Sequence, residues 1–334
     1  MLRTLGIETS CDESAVAVVD GDGRVEVSLL SSQIEAHAPY GGVVPELASR
    51  EHLKALPYLV DQALESALGP VEMVAVTAGP GLIGALLVGV RFAAAFAWGR
   101  RLPLVAVDHL EGHLVSSLLN LDGEPARQEP DRVLALVASG GHSSWYLMDH
   151  GSRVRLGRTR DDAAGESFDK VAQVLGLGYP GGRVISELAA KGNPDRIKFK
   201  RTYLEKSGFD FSFSGIKTGV GRYIELNNDQ IEHQAPDIAS GFQESVVDVL
   251  SYKLLNAAAV KRCNHVALVG GVAANSRLRE KVATAARQKH VTVHIPPVNL
   301  CGDNAAMIAA AGFHHLIQGR TSALDSDVYS RIKQ

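Results

Sequence analysis

One pattern of strands and turns occurs twice along this chain. Residues 2–20 and residues 133–148 each contain two apolar runs that flank a short polar turn, at Thr9–Glu13 and at Ser139–Ser143. Apolar runs around turn residues are typical of β-hairpins. Strand and helix patterns alternate after each hairpin, as they do in α/β proteins whose helices cover their sheets. The sequence therefore predicts an α/β protein of two related domains with a cleft between them.

Composition narrows the class of protein. The chain has 334 residues, of which 46% are hydrophobic and 21% are charged. This length fits one large domain or two, and the composition excludes disordered and fibrous proteins. The formal net charge of −3 excludes binding of nucleic acid through overall basicity, although it is compatible with a local basic patch. Three widely separated cysteines without a CxxC pair argue against a disulfide framework, so we expect a reducing, cytoplasmic location.

An uncharged stretch from Met73 to Val90 is barely long enough to span a bilayer. Gly79-Pro80-Gly81 interrupts it, and such a sequence breaks a continuous helix. We therefore expect a buried strand, a turn and a buried helix here, and no membrane contact.

Two histidines stand four residues apart in a helical pattern. This spacing places the imidazoles of His109 and His113 on one helix face, close enough to bind one metal ion. Random placement of 12 histidines gives about 0.4 such pairs, so spacing alone is weak evidence. His290 and His294 have the same spacing in a strand pattern, where four residues span about 13 Å and cannot share an ion.

The residues around the histidine pair limit its chemistry. Glu111 does not occupy the position of the general base in H-E-x-x-H, which disfavours a zinc protease. Asp303, near the start of the last helix, is a candidate third ligand. The residues alone favour a different role for Asp303, that of the helix N-cap.

Three turns rich in glycine or serine directly follow apolar strands, at Thr9–Glu13, Ser139–Gly141 and Gly270–Gly271. Glycine permits a close approach of backbone to ligand, and N–H groups in such turns bind anions. Each turn also fits ordinary turn chemistry, and none matches a P-loop. Together they favour a site for a phosphate or a nucleotide, without indicating which ligand binds.

Two basic stretches allow two interpretations. The first contains arginines at positions 153, 155, 158 and 160. The second covers residues 196–206, ends at the basic residue Lys206, and includes the aromatic residues Phe199 and Tyr203. Basic side chains contact phosphates and aromatic rings stack on unpaired bases. The same composition is usual on a solvated surface. An RNA-binding face is compatible with these stretches but is not required by them.

Ten motifs together resemble the TsaD family. They are GIETSCDES (6–14), GGVVPELASR (41–50), TAGPGL (77–82), HLEGH (109–113), SGGH (139–142), DAAGESFDK (162–170), YPGG (179–182), SFSGIKT (212–218), GGVAAN (270–275) and CGDNA (301–305). They occur in the family's order and extend over nearly the whole chain, so the set is highly specific.

The resemblance implies a fold and a reaction. The fold is that of actin, Hsp70 and the sugar kinases, with two related domains. The reaction is transfer of the threonylcarbamoyl group from threonylcarbamoyl-AMP to N6 of the adenosine 3′ of the anticodon, in tRNAs that read codons beginning with A. The family's partners, a TsaB-like paralogue and a TsaE-like ATPase, are implied as well.

The resemblance also implies site residues. One iron or zinc ion would be held by His109, His113 and Asp303, in place of the N-cap role of Asp303. The positions that match substrate contacts are Val137, Ala138, Ser139, Gly140, Gly141, Asp169, Gly182 and Asn275. We hypothesise in addition that Asp12 or Glu13 accepts the proton of the attacking amine, although both are also placed to cap the hairpin turn.

Three positions depart from the family pattern. Family members often have a proline and an acidic residue where this chain has Arg183 and Ser186, at a place where the family contacts ribose. Asp108 precedes the first motif histidine, where the family commonly has another residue type.

These expectations combine into one domain scheme and two rival functions. We expect an N-terminal domain over residues 1–108, on which a C-terminal helix over 303–327 packs, and a C-terminal domain over 109–302. One rival is an ATP-dependent phosphotransferase of the same superfold, whose activity would not depend on the histidines. The other is a non-catalytic scaffold subunit, against which the intact histidines and Asp303 argue.

Overall fold

The computed structural model describes residues 1–150, 152–204, 208–227 and 231–331, so Lys206 lies outside the described residues. The strands are β1 (Arg3–Glu8), β2 (Glu13–Asp20), β3 (Val25–Ser32), β4 (Met73–Gly79), β5 (Leu104–Asp108), β6 (Arg132–Ala138), β7 (Ser143–Asp149), β8 (Ser152–Arg158), β9 (His265–Val269) and β10 (Thr292–His294). The helices are α1 (Ile34–His37), α2 (Pro45–Ser66), α3 (Ile83–Arg100), α4 (His109–Ser116), α5 (Ala164–Val174), α6 (Gly181–Ala189), α7 (Ser214–Leu226), α8 (Ile231–Lys261), α9 (Ser276–Gln288) and α10 (Ala305–Ile317).

The chain divides into two compact units: unit 1 is Met1–Gln128 with Pro296–Gln334, and unit 2 is Glu129–Ile295.

Unit 1 is built on a five-stranded sheet with the order β3-β2-β1-β4-β5. β1, β2 and β3 form an antiparallel meander, whereas β4 and β5 run parallel to β1. One face of the sheet packs against α10, and the other packs against α2 and α3. A strand that is covered on both faces buries successive side chains, which explains why β4 is almost entirely apolar and why β1 buries every residue after Arg3.

Unit 2 repeats this arrangement strand for strand. Its sheet has the order β8-β7-β6-β9-β10, in which β6, β7 and β8 form the antiparallel meander and β9 and β10 are parallel to β6. The prediction of an α/β protein with two related domains is thereby confirmed.

The domain limits differ from those expected. Unit 1 continues to Gln128 rather than ending at residue 108, because α4 packs on β5 and α10 of the same unit. Residues 296–302 likewise belong to unit 1. The C-terminal helix covers Ala305–Ile317 rather than 303–327, because Gly319 adopts a φ of 75° that ends the helix.

α3 has the length and apolar composition of a membrane-spanning helix. Its buried residues, however, pack on β4 and α2. Arg91, in the middle of the helix, donates hydrogen bonds to the backbone carbonyls of Leu324 and Ser326, both at 3.1 Å. These contacts are those of a helix packed on a folded core.

Candidate functional site

The candidate metal ligands lie near the carboxyl ends of parallel strands in unit 1. β1, β4 and β5 run in one direction and end at Glu8, Gly79 and Asp108. Strand ends of this kind are where open α/β sheets bind ligands. α4 begins directly after β5, because Asp108 Oδ1 accepts hydrogen bonds of 3.0 Å from the backbone N–H groups of Leu110 and Glu111. This cap places both motif histidines in the first turns of the helix.

His109, His113 and Asp303 meet at one point. The two imidazole rings lie 4.7 Å apart between centroids, with an angle of 80° between their planes. Asp303 Oδ1 is 3.4 Å from His109 Nε2 and 3.3 Å from His113 Nε2. The N-cap of α10 is Asn304, whose side chain accepts a hydrogen bond of 3.0 Å from Met307 N. The N-cap role that the residues alone favoured for Asp303 is therefore wrong, and its carboxylate faces the histidines instead.

This donor set fits a metal ion. Both ring nitrogens of His113 are buried and make no well-oriented hydrogen bond with the described residues, a costly state unless a ligand completes it. Metal bonds of 2.0–2.1 Å in a tetrahedral site separate neighbouring donor atoms by about 3.3–3.4 Å, which matches the distances from Asp303 to the two imidazoles. Two imidazole nitrogens and one carboxylate oxygen are donors that zinc and iron both accept, with positions left over for substrate or water.

Glu8 is a buried residue of the candidate site that the sequence analysis missed. Its side chain is fully buried at the end of β1, and Oε2 lies 3.0 Å from His109 Nδ1. Ser10 N donates to Oε1 and Thr77 Oγ1 donates to Oε2, each at 2.5 Å. A carboxylate held in this way keeps the proton of His109 on Nδ1 and leaves Nε2 free as a ligand. The available signal was an acidic residue that directly follows Leu5-Gly6-Ile7 at the end of a strand.

The charges of Glu8, Asp303 and His109 stabilise one another, and a bound metal ion would take the place of the Nε2 proton of charged His109. Burial by itself lowers the pKa of His109, but the carboxylates of Asp303 and Glu8 outweigh it and raise that pKa well above its ordinary value. Burial raises the pKa of Asp303, yet the His109 charge outweighs burial and holds it well below its ordinary value. Burial lowers the pKa of His113, which favours the neutral imidazole that metal binding requires.

The two candidate bases are Asp12, in the turn between β1 and β2, and Glu13, the first residue of β2. Glu13 Oε1 accepts a hydrogen bond of 3.0 Å from Ser32 Oγ, whereas Oε2 is buried and makes no hydrogen bond with the described residues. Burial raises the pKa of Glu13 to about 7, and the charges of Asp12 and Asp303 act in the same direction. A carboxyl group that titrates near neutral pH is well suited to accept a proton at that pH.

A buried histidine, also missed by the sequence analysis, holds this turn in place. His52 Nε2 donates to the carbonyl oxygen of Cys11 at 3.0 Å, and Ser14 Oγ donates to His52 Nδ1 at 2.7 Å. Burial lowers the pKa of His52, which is consistent with a neutral ring in this role. Gln33 N donates to the carbonyl oxygen of Asp12 at 3.1 Å, so the backbone of the turn is anchored on both sides.

The candidate substrate residues of unit 2 lie at the carboxyl ends of β6 and β9. Val137 and Ala138 are buried strand residues, and the turn that starts at Ser139 exposes Gly140 and Gly141. The turn is closed by a hydrogen bond of 2.7 Å from Ser139 N to His142 O. A side chain at Gly165 on α5 would lie 2.7 Å from Ser139 O, so glycine is required where α5 meets the turn.

Asp169, Gly182 and Asn275 lie on the neighbouring helices of unit 2. Asp169 Oδ1 accepts a hydrogen bond of 2.8 Å from Gly181 N, the residue before the exposed Gly182. Asn275 is the N-cap of α9 and also donates to Ser186 Oγ at 2.8 Å. Ser186, which replaces the acidic residue of the family pattern, is therefore part of a neutral hydrogen-bonding network.

The basic stretches are partly neutralised. Arg160 pairs with Asp210 at 2.8 Å and Arg201 pairs with Asp248 at 2.8 Å. Arg153, Arg155 and Arg158 belong to β8, the edge strand of the unit 2 sheet. Charged side chains on an edge strand also prevent unwanted strand pairing, so both interpretations of this stretch stand.

Comparison with known proteins reveals close relatives. The family model described as TsaD, tRNA N6-adenosine threonylcarbamoyltransferase, matches residues 25–310. A tRNA N6-adenosine threonylcarbamoyltransferase from Desulforapulum autotrophicum is 52% identical over 333 residues, which cover 98% of both chains. The enzyme of the same name from Clostridioides difficile is 44% identical over 338 residues, which cover 99% of this chain and 98% of the relative.

Solved structures at low sequence identity share the fold. Full-length HypF in the phosphate- and nucleotide-bound form matches with a TM-score of 0.61 and 14% identity, over 98% of this chain and 47% of HypF. Component A of the (R)-2-hydroxyglutaryl-CoA dehydratase of Acidaminococcus fermentans matches with a TM-score of 0.52 and 16% identity, over 95% of this chain and 100% of that one. The predicted fold of actin, Hsp70 and the sugar kinases is confirmed.

Proposed function

This chain belongs to the TsaD family of tRNA N6-adenosine threonylcarbamoyltransferases, and on that basis we propose the donor, the acceptor atom and the groups that carry out the reaction. The donor is threonylcarbamoyl-AMP, and the acceptor is N6 of the adenosine 3′ of the anticodon in tRNAs that read codons beginning with A. N6 attacks the carbamoyl carbon, a C–N bond forms, and the C–O bond to the phosphate breaks. AMP leaves, and the proton of the amine passes to a base.

The observation that carries this proposal is the convergence of His109 Nε2, His113 Nε2 and Asp303 Oδ1. These residues would hold one divalent ion, iron or zinc. When bound, the ion would act as a Lewis acid on the donor's carbamoyl or carboxylate oxygens. Glu8 keeps the His109 ring in the tautomer that leaves Nε2 free.

Other groups of the chain bind, orient and accept the proton. Glu13 would accept the proton of N6, because burial raises its pKa to about 7, and Asp12 is the alternative base. In unit 2 the turn Ser139–Gly141, together with Val137, Ala138, Asp169, Gly182 and Asn275, would contact the nucleotide part of the donor. Backbone N–H groups of such a turn favour a phosphate. The adenine amine is a poor nucleophile, so correct placement of the reactants supplies much of the acceleration.

Reconstitution tests the proposal. The purified protein, a TsaB-like paralogue, a TsaE-like ATPase, threonylcarbamoyl-AMP and unmodified tRNA are combined, and modified adenosine is measured with and without a chelator. We expect modification that the chelator abolishes and added metal restores, and we expect the His113→Ala variant to be inactive.

The matched control is His294→Ala, because His294 belongs to the other pair of histidines spaced by four and lies on β10 of unit 2, whereas the proposed ligands belong to unit 1. This variant should retain activity. Full activity of His113→Ala or of the chelated enzyme would contradict the metal proposal. Labelled phosphate from ATP on a metabolite, with no modified adenosine, would favour the phosphotransferase instead.

A further inference from the structure

The C-terminal tail of the chain reaches the start of the helix that carries the two histidines. After α10 ends at Ile317, the tail runs beside β5, where Ser322 N donates to Leu104 O and Ala106 N donates to Ser322 Oγ, both at 2.8 Å. Farther along, Tyr329 N donates to Ala78 O at 3.0 Å. The tail therefore runs along β5 from its amino end and reaches the carboxyl end of β4, within unit 1.

Tyr329 contacts the residue that caps α4. Its hydroxyl group donates a hydrogen bond of 2.7 Å to Asp108 Oδ2, while Asp108 Oδ1 accepts the N–H groups of Leu110 and Glu111. One carboxylate thus joins the tail to the amino-terminal turn of α4, and the next residue is His109. Asp108 is also a position at which this chain departs from the family pattern.

Packing holds the ring of Tyr329 in place. A Cβ at Gly79 would lie 2.2 Å from the carbonyl oxygen of Tyr329 and 2.8 Å from its ring atom Cδ2, so only glycine permits this approach. Val328 and Tyr329 also pack against the apolar core between the sheet and helices α2 and α3. The hydroxyl group is consequently held at a fixed distance from Asp108 by packing, in addition to its hydrogen bond.

From this geometry we propose that Tyr329 is a positioning residue for the metal ligands. It orients the Asp108 carboxylate, the carboxylate holds the first turn of α4, and the first turn places His109 and His113 opposite Asp303. The inference rests on the proposed metal site, and it adds a contribution from the C-terminal tail to that site. Hydrogen bonds to a charged group are among the stronger ones, so loss of this one should loosen the turn measurably.

The test compares Tyr329→Phe with Tyr223→Phe. Tyr223 is the matched control, because its hydroxyl also donates a hydrogen bond of 2.8 Å to a side chain, Gln234, but lies in unit 2. Both variants keep the ring. Two quantities are measured: hydrogen exchange of the peptide that covers residues 108–116 in the metal-free protein, and the dissociation constant of Zn²⁺ by competition with a chelator. We expect exchange at Leu110 and Glu111 to be about 10-fold faster, and Zn²⁺ to bind about 3- to 10-fold more weakly, in Tyr329→Phe.

The outcomes separate this inference from the proposed function. Both changes in Tyr329→Phe, with neither in Tyr223→Phe, support the positioning role. Unchanged exchange, or faster exchange with unchanged Zn²⁺ binding, overturns it. If the wild-type protein binds neither Zn²⁺ nor Fe²⁺, the metal proposal itself fails, and the exchange data alone then decide whether Tyr329 holds α4.

Discussion

Replacement of Glu8 by glutamine should weaken metal binding without unfolding the protein. In the wild-type chain the carboxylate accepts hydrogen bonds from three donors, Ser10 N, Thr77 Oγ1 and His109 Nδ1. Glutamine has a single acceptor oxygen. If that oxygen takes the place of Oε2, the new NH₂ group faces the N–H of Ser10. If it takes the place of Oε1, the NH₂ group faces His109 and favours the tautomer with the proton on Nε2, which blocks the ligand atom.

The magnitude follows from the hydrogen bond that is lost. A hydrogen bond to a charged group contributes about 1.5–3 kcal/mol, and each 1.4 kcal/mol corresponds to about a factor of ten in a dissociation constant. We therefore expect Glu8→Gln to raise the dissociation constant of Zn²⁺ about 10- to 100-fold. This agrees with the usual effect of removing a carboxylate that orients a ligating histidine.

Competition with a chromophoric chelator measures the constant, and Glu111→Gln is the control. Glu111 lies on the same helix as His109, and its Oε1 accepts a hydrogen bond of 2.8 Å from His315 Nε2. The chemical change is identical, but the hydrogen bond that it alters joins Glu111 to His315 rather than to a proposed ligand. Equal Zn²⁺ binding by wild type, Glu8→Gln and Glu111→Gln would refute the argument that Glu8 fixes the His109 tautomer.

Three further predictions concern the metal, the packing and the pH dependence. His113→Ala should remain folded yet lose the metal that purified wild-type protein retains, as measured by atomic absorption; retention of a full equivalent would contradict the ligand assignment. Gly6→Ala should lower the free energy of unfolding by about 1–3 kcal/mol in urea titrations, because a Cβ there would lie 2.2 Å from Ala305 O; an unchanged midpoint would show that α10 does not pack so closely on β1. Hydrogen bonds from Arg277, helped by Lys281 and opposed by burial, lower the pKa of Glu244 to about 2. Since the folded pKa lies below the ordinary 4.5, Glu244 adds stability above about pH 4.5 that is lost as the pH falls toward 2. Glu244→Gln should therefore be less stable than wild type at pH 7, with a difference that shrinks below pH 4.5; a difference independent of pH would contradict the assigned ion pair.

Features that depend on neighbouring residues were predictable from the sequence. The two hairpins followed from apolar runs that flank turn residues, and the shared face of His109 and His113 followed from the geometry of a helix. The motifs of the TsaD family indicated the family, which the comparisons confirm, and a candidate ligand set. For the hairpins and the histidine pair the relevant interactions lie within a few residues of one another, so the order of residue types contains the information.

Contacts between distant parts of the chain were decided only by the tertiary structure. From residues alone, Asp303 was expected to cap α10, whereas in the folded chain Asn304 is the cap and the Asp303 carboxylate faces the histidines. Glu8 reaches His109 because β1 and β5 end at the same edge of the sheet, and Tyr329 reaches Asp108 because the tail crosses that edge. The limit of unit 1 at Gln128 likewise depends on α4 packing against α10. Local sequence specifies which elements form, whereas the burial of their apolar faces against one another determines which polar side chains meet.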